Sequence, residues 1–333
     1  MKILVTGCAG FIASKVTGLL LEQGHAVVGI DNLNDAYDVR LKRWRLAALA
    51  ERANFTFQCL DITDRAALFG LVSQGASARG SSAAERFDAV INLAARAGVR
   101  QSVIDPAAYV ETNLLGTLNL LDLCRETGVR KFILASSSSL YGSNNPSPFR
   151  EDANTDLPLS PYAASKKAAE VMVHSYHHLY GIDATIFRYF TVYGPGGRPD
   201  MSPFRFVQWI SEGRPVTVYG DGTQLRDFTY IDDIARGTIA GLVPVGFDII
   251  NLGSDRPVRL IDTIAVIERL TGARAKIVYA ESHPSDVAAT WANIEKAARL
   301  LHWKPQVEFA VGVENLVRWY KANRDWAKDI ATT

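Results

Sequence analysis

The first half of the chain alternates short β-branched runs with helical patterns, and this alternation limits the possible folds more than any other feature. The runs typical of buried strands lie at 2–6, 26–30, 55–59, 88–93, 131–136 and 183–188. Helical patterns separate most of them, at 11–22, 38–52, 106–127 and 161–180. Because parallel strands need such crossover helices, the pattern predicts an α/β fold built on a doubly wound parallel sheet.

After residue 190 the rhythm changes, and proline and glycine become frequent. The patterns there predict strands at 216–220 and 276–280 and helices at 232–242, 260–271, 293–301 and 310–325. We expect residues 1–190 to form the sheet domain and residues 191–333 mainly a smaller, mixed α/β substrate domain, with some chain crossing back to the first. Ligands of doubly wound sheets bind at the carboxyl edge, against which this second domain should pack. The Ser/Ala/Gly-rich segment 73–86 is predicted to be a flexible surface insertion.

Composition excludes several classes of function. The 36 basic and 35 acidic residues nearly balance, so a nucleic-acid surface is not expected. No apolar run reaches the roughly 20 residues that span a bilayer, so no membrane partner is expected. The 3 cysteines are odd in number and far apart, which argues against a disulfide framework and fits a reducing cytoplasm. A histidine cluster at 174–178 has no acidic or cysteine partner, so no metal site is predicted.

A glycine loop follows the first predicted strand. In "VTGCAGFIASK", Gly7 and Gly10 precede a helix with the spacing G-x-x-G-x-x-A. Glycine allows a tight turn and a close approach of the backbone to a pyrophosphate, although an ordinary turn explains the loop equally well on its own. Asp31 ends the second strand, about 20 residues further on, where an acid can bond both ribose hydroxyls of NAD. A 2′-phosphate would meet a like charge there, which favours NAD over NADP.

Two further strand ends carry suitable residues. Asp61 and Ile62 follow the third strand and are expected near the adenine. The segment "NLAA", at 92–95, follows the fourth strand and is expected along the pyrophosphate and nicotinamide ribose. Together with the loop and Asp31, these strand ends predict a Rossmann sheet that binds NAD.

Tyr162 and Lys166 are four residues apart on a predicted helix and therefore share one face. The preceding strand ends in four serines, at 136–139, at the same sheet edge. A lysine ammonium and a positive nicotinamide favour the phenolate and lower the pKa of a tyrosine. Such a phenolate can take a proton from a substrate hydroxyl, and a serine can relay it. The alternative is an exposed polar helix face with no chemistry.

With these motifs in place, the chain resembles the extended short-chain dehydrogenase/reductases that act on nucleotide sugars, and within them the glucuronate 4-epimerases. The resemblance covers nearly the whole chain. Its matching stretches lie at 31–38, 94–102, 109–121, 135–142, 162–170, 176–181, 190–201 and 218–234. It implies a UDP-sugar substrate, bound NAD, and a homodimer formed through helices 106–127 and 161–180.

The resemblance also implies residue roles. It makes Tyr162 the catalytic base and Lys166 its partner, with Ser137 as the hydroxyl residue and Ser138 and Ser139 as alternatives. The residues implied to bind the cofactor are Gly7, Gly10, Phe11, Ile12, Asp31, Asn32, Asn34, Asp61, Ile62, Leu93, Ala94, Ala95, Asn113, Tyr162 and Lys166. Those implied to bind the substrate are Ser137, Ser138, Ser139, Thr191, Arg198, Val218, Arg226 and Asp286.

Among the substrate residues, Thr191 stands where galactose epimerases carry an asparagine, and Arg198 matches the arginine that grips the sugar carboxylate. Val218, Arg226 and Asp286 match positions that contact the uridine diphosphate. A surface ion pair is the alternative for Arg226 and Asp286.

The chain departs from the family pattern at four places: Ala13, Lys15, Ala36 and the pair Gly196–Gly197. These differences are expected to affect the grip on the cofactor or the shape of a loop. None of them removes a catalytic group.

The implied activity is epimerisation at C4 of UDP-glucuronate through a transient 4-keto sugar. Dehydratases of this family usually place Asp-Glu after the catalytic hydroxyl residue and decarboxylases a Glu in the same segment, whereas this chain has Ser138 and Ser139. Thr191 and Arg198 favour the acid sugar over UDP-glucose, which makes UDP-glucose 4-epimerase the next alternative. An NAD-sensing scaffold protein is the alternative outside the enzymes, but it would be expected to lose Tyr162 or Lys166.

Overall fold

A computed structural model describes residues 1–77, 86–281 and 287–332 of the chain. Its strands are β1 (Lys2–Thr6), β2 (Ala26–Asp31), β3 (Phe55–Cys59), β4 (Ala89–Asn92), β5 (Lys131–Ser137), β6 (Asp183–Tyr189), β7 (Thr191–Tyr193), β8 (Pro215–Tyr219), β9 (Leu225–Arg226), β10 (Phe228–Tyr230), β11 (Phe247–Leu252), β12 (Val258–Arg259) and β13 (Lys276–Ala280). The predicted strands of the first half coincide with β1 to β6 within about two residues at each end.

The helices are α1 (Phe11–Glu22), α2 (Val39–Ala50), α3 (Arg65–Ser77), α4 (Val99–Ile104), α5 (Pro106–Tyr109), α6 (Gly116–Thr127), α7 (Pro161–Tyr180), α8 (Ser202–Ser211), α9 (Ile231–Ala240), α10 (Leu260–Thr271), α11 (Glu295–Leu301), α12 (Phe309–Ala322) and α13 (Arg324–Ala327). The predicted helices correspond to α1, α2, α7 and α9 to α12, and to the region of α5 and α6. Sequence patterns missed α3, α4, α8 and α13.

Within the described residues, seven strands form one sheet in the order β11-β6-β5-β4-β1-β2-β3, and all neighbours are parallel. The order reverses at β1, which lies between β2 and β4, so the topological switch point falls at the glycine loop that follows β1. The predicted α/β doubly wound fold is therefore confirmed.

Helices cover both faces of the sheet, as alternate residues of β1 illustrate. Ile3 and Val5 belong to one large buried apolar cluster and Leu4 to another. One prediction about burial is wrong: β3 is an edge strand and is mostly half-buried or exposed rather than buried. An edge strand has a neighbour on one side only, so helices cover it less completely.

The predicted helix 106–127 is divided into three parts. After α5, residues Val110–Leu115 form a π-helix, and α6 continues from Gly116. Asp105 caps the start of α5 by accepting a hydrogen bond from the backbone N–H of Ala108 at 3.3 Å. The wider turn of a π-helix often marks a functional site, and here it carries Asn113.

The second half of the chain returns to the sheet. β11 pairs with β6 along its whole length, from Phe247 opposite Ala184 to Leu252 opposite Tyr189. Three two-stranded sheets lie outside the large sheet: β10 with β7, β12 with β9, and β13 with β8. The division into domains at residue 190 stays a prediction.

The segment predicted as a flexible insertion, 73–86, is only partly described. Its first residues belong to α3, which ends at Ser77. Residues 78–85 lie outside the described residues. Among the helices that the structure describes, none has the length and apolar character needed to cross a membrane.

Candidate active site

The glycine loop lies at the carboxyl end of β1, between β1 and α1. Gly7 has a left-handed backbone, with φ of +68°, and a Cβ there would lie 2.8 Å from the Cα of Ala94. Gly10 caps α1 without any side-chain hydrogen bond, so Phe11 and Ile12 begin the helix with backbone N–H groups that no side chain occupies. This combination of a bare helix start and a tight glycine turn suits the pyrophosphate of a dinucleotide.

Asp31 ends β2 directly beside this loop. Its carboxylate accepts hydrogen bonds from the backbone N–H of Ala9 at 3.2 Å and of Leu33 at 2.8 Å. The ammonium of Lys42, on α2, lies 3.5 Å from the Asp31 carboxylate and 2.9 Å from the amide oxygen of Asn34. These three donors fix the Asp31 carboxylate beside the loop, and its role at the ribose stays a prediction.

Asn32 and Asp61 join the ends of β2 and β3. The Asn32 amide donates to the Asp61 carboxylate at 2.6 Å. Burial acts to raise the pKa of Asp61, but hydrogen bonds from Thr63 and Asn32 outweigh it and hold the pKa below its ordinary value. Ile62 is buried and packs against Gly116 at the start of α6. The polar side chains of Asn32, Asp61 and Thr63 are thus bonded to one another, and the apolar side chain of Ile62 packs beside them.

The segment after β4 is bound to the glycine loop through Thr6. The Thr6 hydroxyl donates to the amide oxygen of Asn92 at 2.7 Å and accepts from the backbone N–H groups of Leu93 and Ala94 at 3.1 and 3.0 Å. Ala95 follows this segment and is half-buried. The carboxyl ends of β1 and β4 are therefore fixed side by side.

Asn113 lies in the π-helix, and its amide connects three elements. It accepts from the backbone N–H of Arg96 at 2.9 Å, and it donates to the Arg96 carbonyl at 3.0 Å and to the Ser165 hydroxyl at 2.9 Å. Ser165 in turn donates to the carbonyl of Tyr162 at 2.8 Å. Asn113 thus ties the segment after β4 to the helix that carries Tyr162 and Lys166.

Tyr162 lies in the first turn of α7 because Ser160 caps the helix and Pro161 begins it. Burial raises the pKa of its phenol above the ordinary value, although the Ser137 hydroxyl, within hydrogen-bonding reach, and the charge of Arg198 act to lower it. In the protein alone burial outweighs these two effects, so the lowering expected from Lys166 together with a bound nicotinamide stays a prediction. The ring of Tyr109 packs edge-on against Tyr162, with centroids 6.1 Å apart.

Lys166 lies one turn further along α7 and is only 4% exposed. Its ammonium donates to the carbonyl of Ala135, on β5, at 2.8 Å. Burial lowers the pKa of Lys166 to about 8, although the carboxylate of Glu170 acts to raise it. Glu170 itself is bound to Arg188 at 2.8 Å and to the Ser136 hydroxyl at 2.6 Å. Lys166 therefore lies near a buried network of polar side chains that bond one another.

Ser137 ends β5, and Ser138 and Ser139 begin a short 3-10 helix at Ser138–Tyr141. The Ser137 hydroxyl accepts from the backbone N–H of Ser139 at 3.2 Å and lies 3.1 Å from the Ser139 hydroxyl. Ser136 points instead to Glu170. Among the three candidate serines, Ser137 is the one that influences the pKa of Tyr162.

Arg198 lies in the loop between β7 and α8. Its guanidinium makes a two-pronged ion pair with Asp200, with Nε 3.0 Å from the carboxylate. Burial disfavours the charge, but Asp200 outweighs it and holds the pKa of Arg198 above its ordinary value; Tyr162 contributes in the same direction. Thr191 begins β7 and is half-buried.

The three positions expected at the uridine diphosphate differ from one another in burial and in whether the structure describes them. Val218, on β8, has no exposed surface and belongs to the apolar core, so its side chain is not presented to a ligand. Arg226, on β9, is half-buried and donates to the carbonyl of Leu225 at 2.8 Å. Asp286 lies outside the described residues.

Several residues at this edge escaped the sequence analysis, namely Lys42 and Arg45 on α2, Tyr109, Glu170 and Asp200. Lys42 and Arg45 had a readable signal. They are buried together with Leu41 and Leu49 on one face of α2. The signal is that basic residues occupy helix positions whose spacing is typical of apolar, core-facing residues.

The departures from the family pattern leave this edge intact. Ala13 is buried in α1, and Lys15 forms an ion pair with Asp232 on α9 at 3.0 Å. Among the described residues no cluster of His, Cys, Asp or Glu could hold a metal ion.

Comparison with known proteins shows which family the chain belongs to. Residues 3–253 match the NAD dependent epimerase/dehydratase family. The chain belongs to this family. The match spans β1 to β11, and so includes the glycine loop, Asp31, the serines, Tyr162, Lys166 and Arg198.

Individual proteins that resemble the chain have more specific activities than the family description gives. The UDP-glucuronate 4-epimerase of Thermodesulfobacterium geofontis is 52% identical, over 98% of each chain. The crystal structure of the Bacillus cereus UDP-glucuronic acid 4-epimerase with UDP-glucuronic acid and NAD is 38% identical, with a TM-score of 0.88, and covers 97% of this chain and 100% of that one. The UDP-glucose 4-epimerase of Thermotoga maritima, with UDP-glucose, is 30% identical over the same shares, with a TM-score of 0.87.

Proposed function

We propose that this chain is an NAD-dependent UDP-glucuronate 4-epimerase, which interconverts UDP-glucuronate and UDP-galacturonate through a transient 4-keto sugar. The observation that carries the proposal is that Arg198, a cation suited to a carboxylate, lies close enough to the phenol of Tyr162 for each to shift the pKa of the other. The 52% identity with a UDP-glucuronate 4-epimerase supports the same substrate.

The cofactor fits the residues at the sheet edge. Gly7 leaves no room for a Cβ where the backbone turns, α1 begins without a side-chain cap, and Asp31 is fixed beside both. When bound, NAD supplies a hydride acceptor and donor at C4 of the sugar. Since epimerisation regenerates NAD in every cycle, we expect the cofactor to stay bound.

Tyr162 is proposed to remove the proton from the C4 hydroxyl and to return it after the keto sugar has turned over. Ser137, within reach of the phenol, is proposed to hold the same oxygen and relay the proton. Lys166 keeps a positive charge under this site below about pH 8 and thereby favours the phenolate. Asn113 holds the helix that carries Tyr162 and Lys166 against the segment after β4.

Arg198 is proposed to hold the sugar carboxylate. A guanidinium can bond two carboxylate oxygens at once, as it already does with Asp200. With the carboxylate bound in this way, the β-keto acid is kept out of the geometry that loses CO2. The UDP portion is proposed to lie near the half-buried Arg226. The sugar can then rotate while the nucleotide stays anchored.

Epimerisation is favoured over the related reactions because the 3-10 helix carries Ser138 and Ser139, with hydroxyls where a dehydratase or decarboxylase needs an acid or base. UDP-glucose 4-epimerase remains the second candidate in chemical terms, since the Thermotoga maritima enzyme has the same fold at a TM-score of 0.87. Arg198 is the feature that argues against it.

One experiment tests the proposal. The purified protein is incubated separately with UDP-glucuronate and UDP-glucose, and the products are identified by NMR. We expect UDP-galacturonate from the first, with far slower conversion of the second, and NAD(H) in the supernatant of denatured protein. Retained NAD without turnover of any UDP-sugar would point to a non-catalytic NAD-sensing protein.

We also propose that two copies of the chain pair in the cytoplasm through residues 106–127 and 161–180. Apolar side chains are exposed on this side of the molecule, including Ile104, Val110, Leu115 and Val171, and such a patch suits a partner surface. The free cysteines Cys8, Cys59 and Cys124 fit a reducing compartment. Light scattering at several concentrations measures the oligomeric state.

A further inference from the structure

Arg45 is a buried arginine on α2, and it is only 4% exposed. Its guanidinium donates to the carbonyl of Ala9 at 3.1 Å and to the phenol oxygen of Tyr37 at 2.7 Å. It also donates twice to the carbonyl of Gly196, at 2.7 and 3.1 Å, and to that of Gly197 at 3.4 Å. One side chain therefore bridges the glycine loop after β1 and the loop that leads into Arg198.

The charge of Arg45 is unusually placed. Its neighbours on the same helix, Arg40 and Lys42, each have a carboxylate partner. Arg45 has none within ion-pair distance among the described residues; its acceptors are carbonyls and one phenol, and its guanidinium lies over the rings of Phe11 and Tyr37, at 5.7 and 5.5 Å. A buried cation is costly unless hydrogen bonds satisfy it, and here the planar fork of donors bonds the backbone of both loops.

Trp44, next to Arg45, packs so closely against the loop before Arg198 that position 196 has no room for a side chain. Gly196 has φ of +62°, and a Cβ on it would lie only 2.7 Å from the ring of Trp44. A Cβ on Gly197 would lie 3.7 Å from the ring of Phe11, the first residue of α1. The glycine pair that departs from the family pattern is thus where α2 and the glycine loop meet the backbone just before Arg198.

From this bridge we propose that Arg45 is a positioning residue that couples the cofactor-binding loop to the Arg198 loop and thereby sets the preference for the acid sugar. The inference rests on the proposed function. Arg45 orients the backbone just before Arg198, so its loss displaces the guanidinium that receives the sugar carboxylate. A neutral sugar does not depend on that guanidinium, so its turnover changes much less.

The test compares Arg45→Met, Arg45→Lys and the matched control Arg43→Met, which removes an exposed arginine from the same helix. For each, kcat and KM are measured with UDP-glucuronate and UDP-glucose, together with bound NAD(H) and Tm. We expect Arg45→Met to lower the glucuronate preference, taken as the ratio of the two kcat/KM values, about tenfold, mainly through KM for UDP-glucuronate, which is the size expected for bonds to a charged group. It should also reduce bound NAD(H).

Arg45→Lys should restore only part of the preference, because a lysine reaches one acceptor at a time whereas the guanidinium spans both loops. Arg43→Met should behave as wild type. An unchanged preference and unchanged NAD retention in a folded Arg45→Met protein would overturn the proposal, as would equal losses on both sugars.

A double variant separates positioning from general stabilisation. If Arg45 acts through Arg198, Arg45→Met combined with Arg198→Ala should lower the preference no further than Arg198→Ala alone. Independent, multiplying losses would overturn the coupling. The proposal can fail separately from the enzymatic one: if the wild-type protein does not turn over UDP-glucuronate, calorimetric binding of the two UDP-sugars to the NAD-loaded protein still reports whether Arg45→Met weakens the acid sugar alone.

Discussion

Lys166 and Arg198, the two cations of the candidate site, are held in contrasting ways. Lys166 lies in a long helix over the central sheet, almost wholly buried, and its ammonium binds the Ala135 carbonyl above the Glu170–Arg188 pair. Arg198 lies in a loop, with its side chain 24% exposed, and it is held by Asp200 and by a backbone that Arg45 secures. The first belongs to a helix packed on the sheet, and the second to an irregular loop whose residues are buried or half-buried.

The residues proposed for the reaction and the residue proposed to select the substrate therefore lie on different kinds of structure. Oxidation at C4 is needed for any nucleotide sugar of this family, and the groups proposed for it, Tyr162, Lys166 and Ser137, stand on regular elements. The carboxylate distinguishes glucuronate from glucose, and the residue proposed to recognise it, Arg198, stands on an irregular loop. Because these residues stand on different elements, a substitution at Arg198 can alter recognition of the carboxylate while Tyr162, Lys166 and Ser137 stay in place.

The strongest test of the sheet side is Tyr162→Phe. Phenylalanine keeps the ring that packs against Tyr109 but has no proton to exchange, so kcat should fall by about 100- to 10,000-fold while substrate binding survives. Steady-state kinetics and calorimetry measure the two effects. Tyr180→Phe, at the far end of the same helix, is the control; a Tyr162→Phe rate near that of the control would mean that another base acts.

On the loop side, Arg198→Ala should lower kcat/KM for UDP-glucuronate by about 10- to 150-fold, because hydrogen bonds to charged groups are worth about 1.5–3 kcal/mol. UDP-glucose, with a neutral group at the same carbon, should be little affected. Mass spectrometry should also detect traces of a UDP-pentose if the loosened keto acid loses CO2. Equal losses on both sugars would show that the arginine only braces its loop.

The pH profile tests Lys166. Its pKa is lowered to about 8, so the ammonium is present below that pH and is lost as the pH rises through it. We expect kcat to decline as the pH rises above about 8, because the charge that favours the phenolate is lost. In Lys166→Arg the charge persists to high pH, so this decline should disappear even if the overall rate is lower. Lys167→Arg, at the next position of the helix, whose half-buried ammonium pairs with Asp156 at 3.3 Å, should keep the wild-type profile.

The smallest effect should come from the serines. Ser137 influences the pKa of Tyr162, and a neutral hydrogen bond is worth about 0.5–1.5 kcal/mol. Ser137→Ala should therefore reduce kcat by about 2- to 12-fold, and Ser138→Ala and Ser139→Ala by less. Rates measured side by side under saturating substrate would assign the relay to another serine if the order were reversed.

Sequence patterns predicted the parts that depend on local chemistry. The β-branched runs located β1 to β6, and the helical pattern at 161–180 located α7. In the structure Ser160 caps α7, Pro161 lies in its first turn, and the left-handed Gly181 ends it. Strand ends of a parallel sheet meet at one edge, so the approximate location of the cofactor followed from topology alone.

The rest depends on contacts between distant parts of the chain. The π-helix around Asn113 is stabilised by hydrogen bonds to Arg96 and Ser165, which no local pattern reveals. The raised pKa of Tyr162 comes from burial, which only the folded structure shows. α8 was missed because it follows a Gly/Pro-rich stretch that resembles a loop, although Pro203 can begin a helix.

The late return of β11 to the sheet has a consequence for synthesis on the ribosome. Until Phe247–Leu252 has emerged, the backbone of β6 lacks its outer neighbour, and an open strand edge invites pairing with other chains. A nascent or truncated chain that ends at residue 190 should therefore aggregate, whereas one that ends just after residue 252 should remain dispersed longer. Light scattering of the two truncated chains after dilution from denaturant would show whether the order of translation leaves this edge exposed.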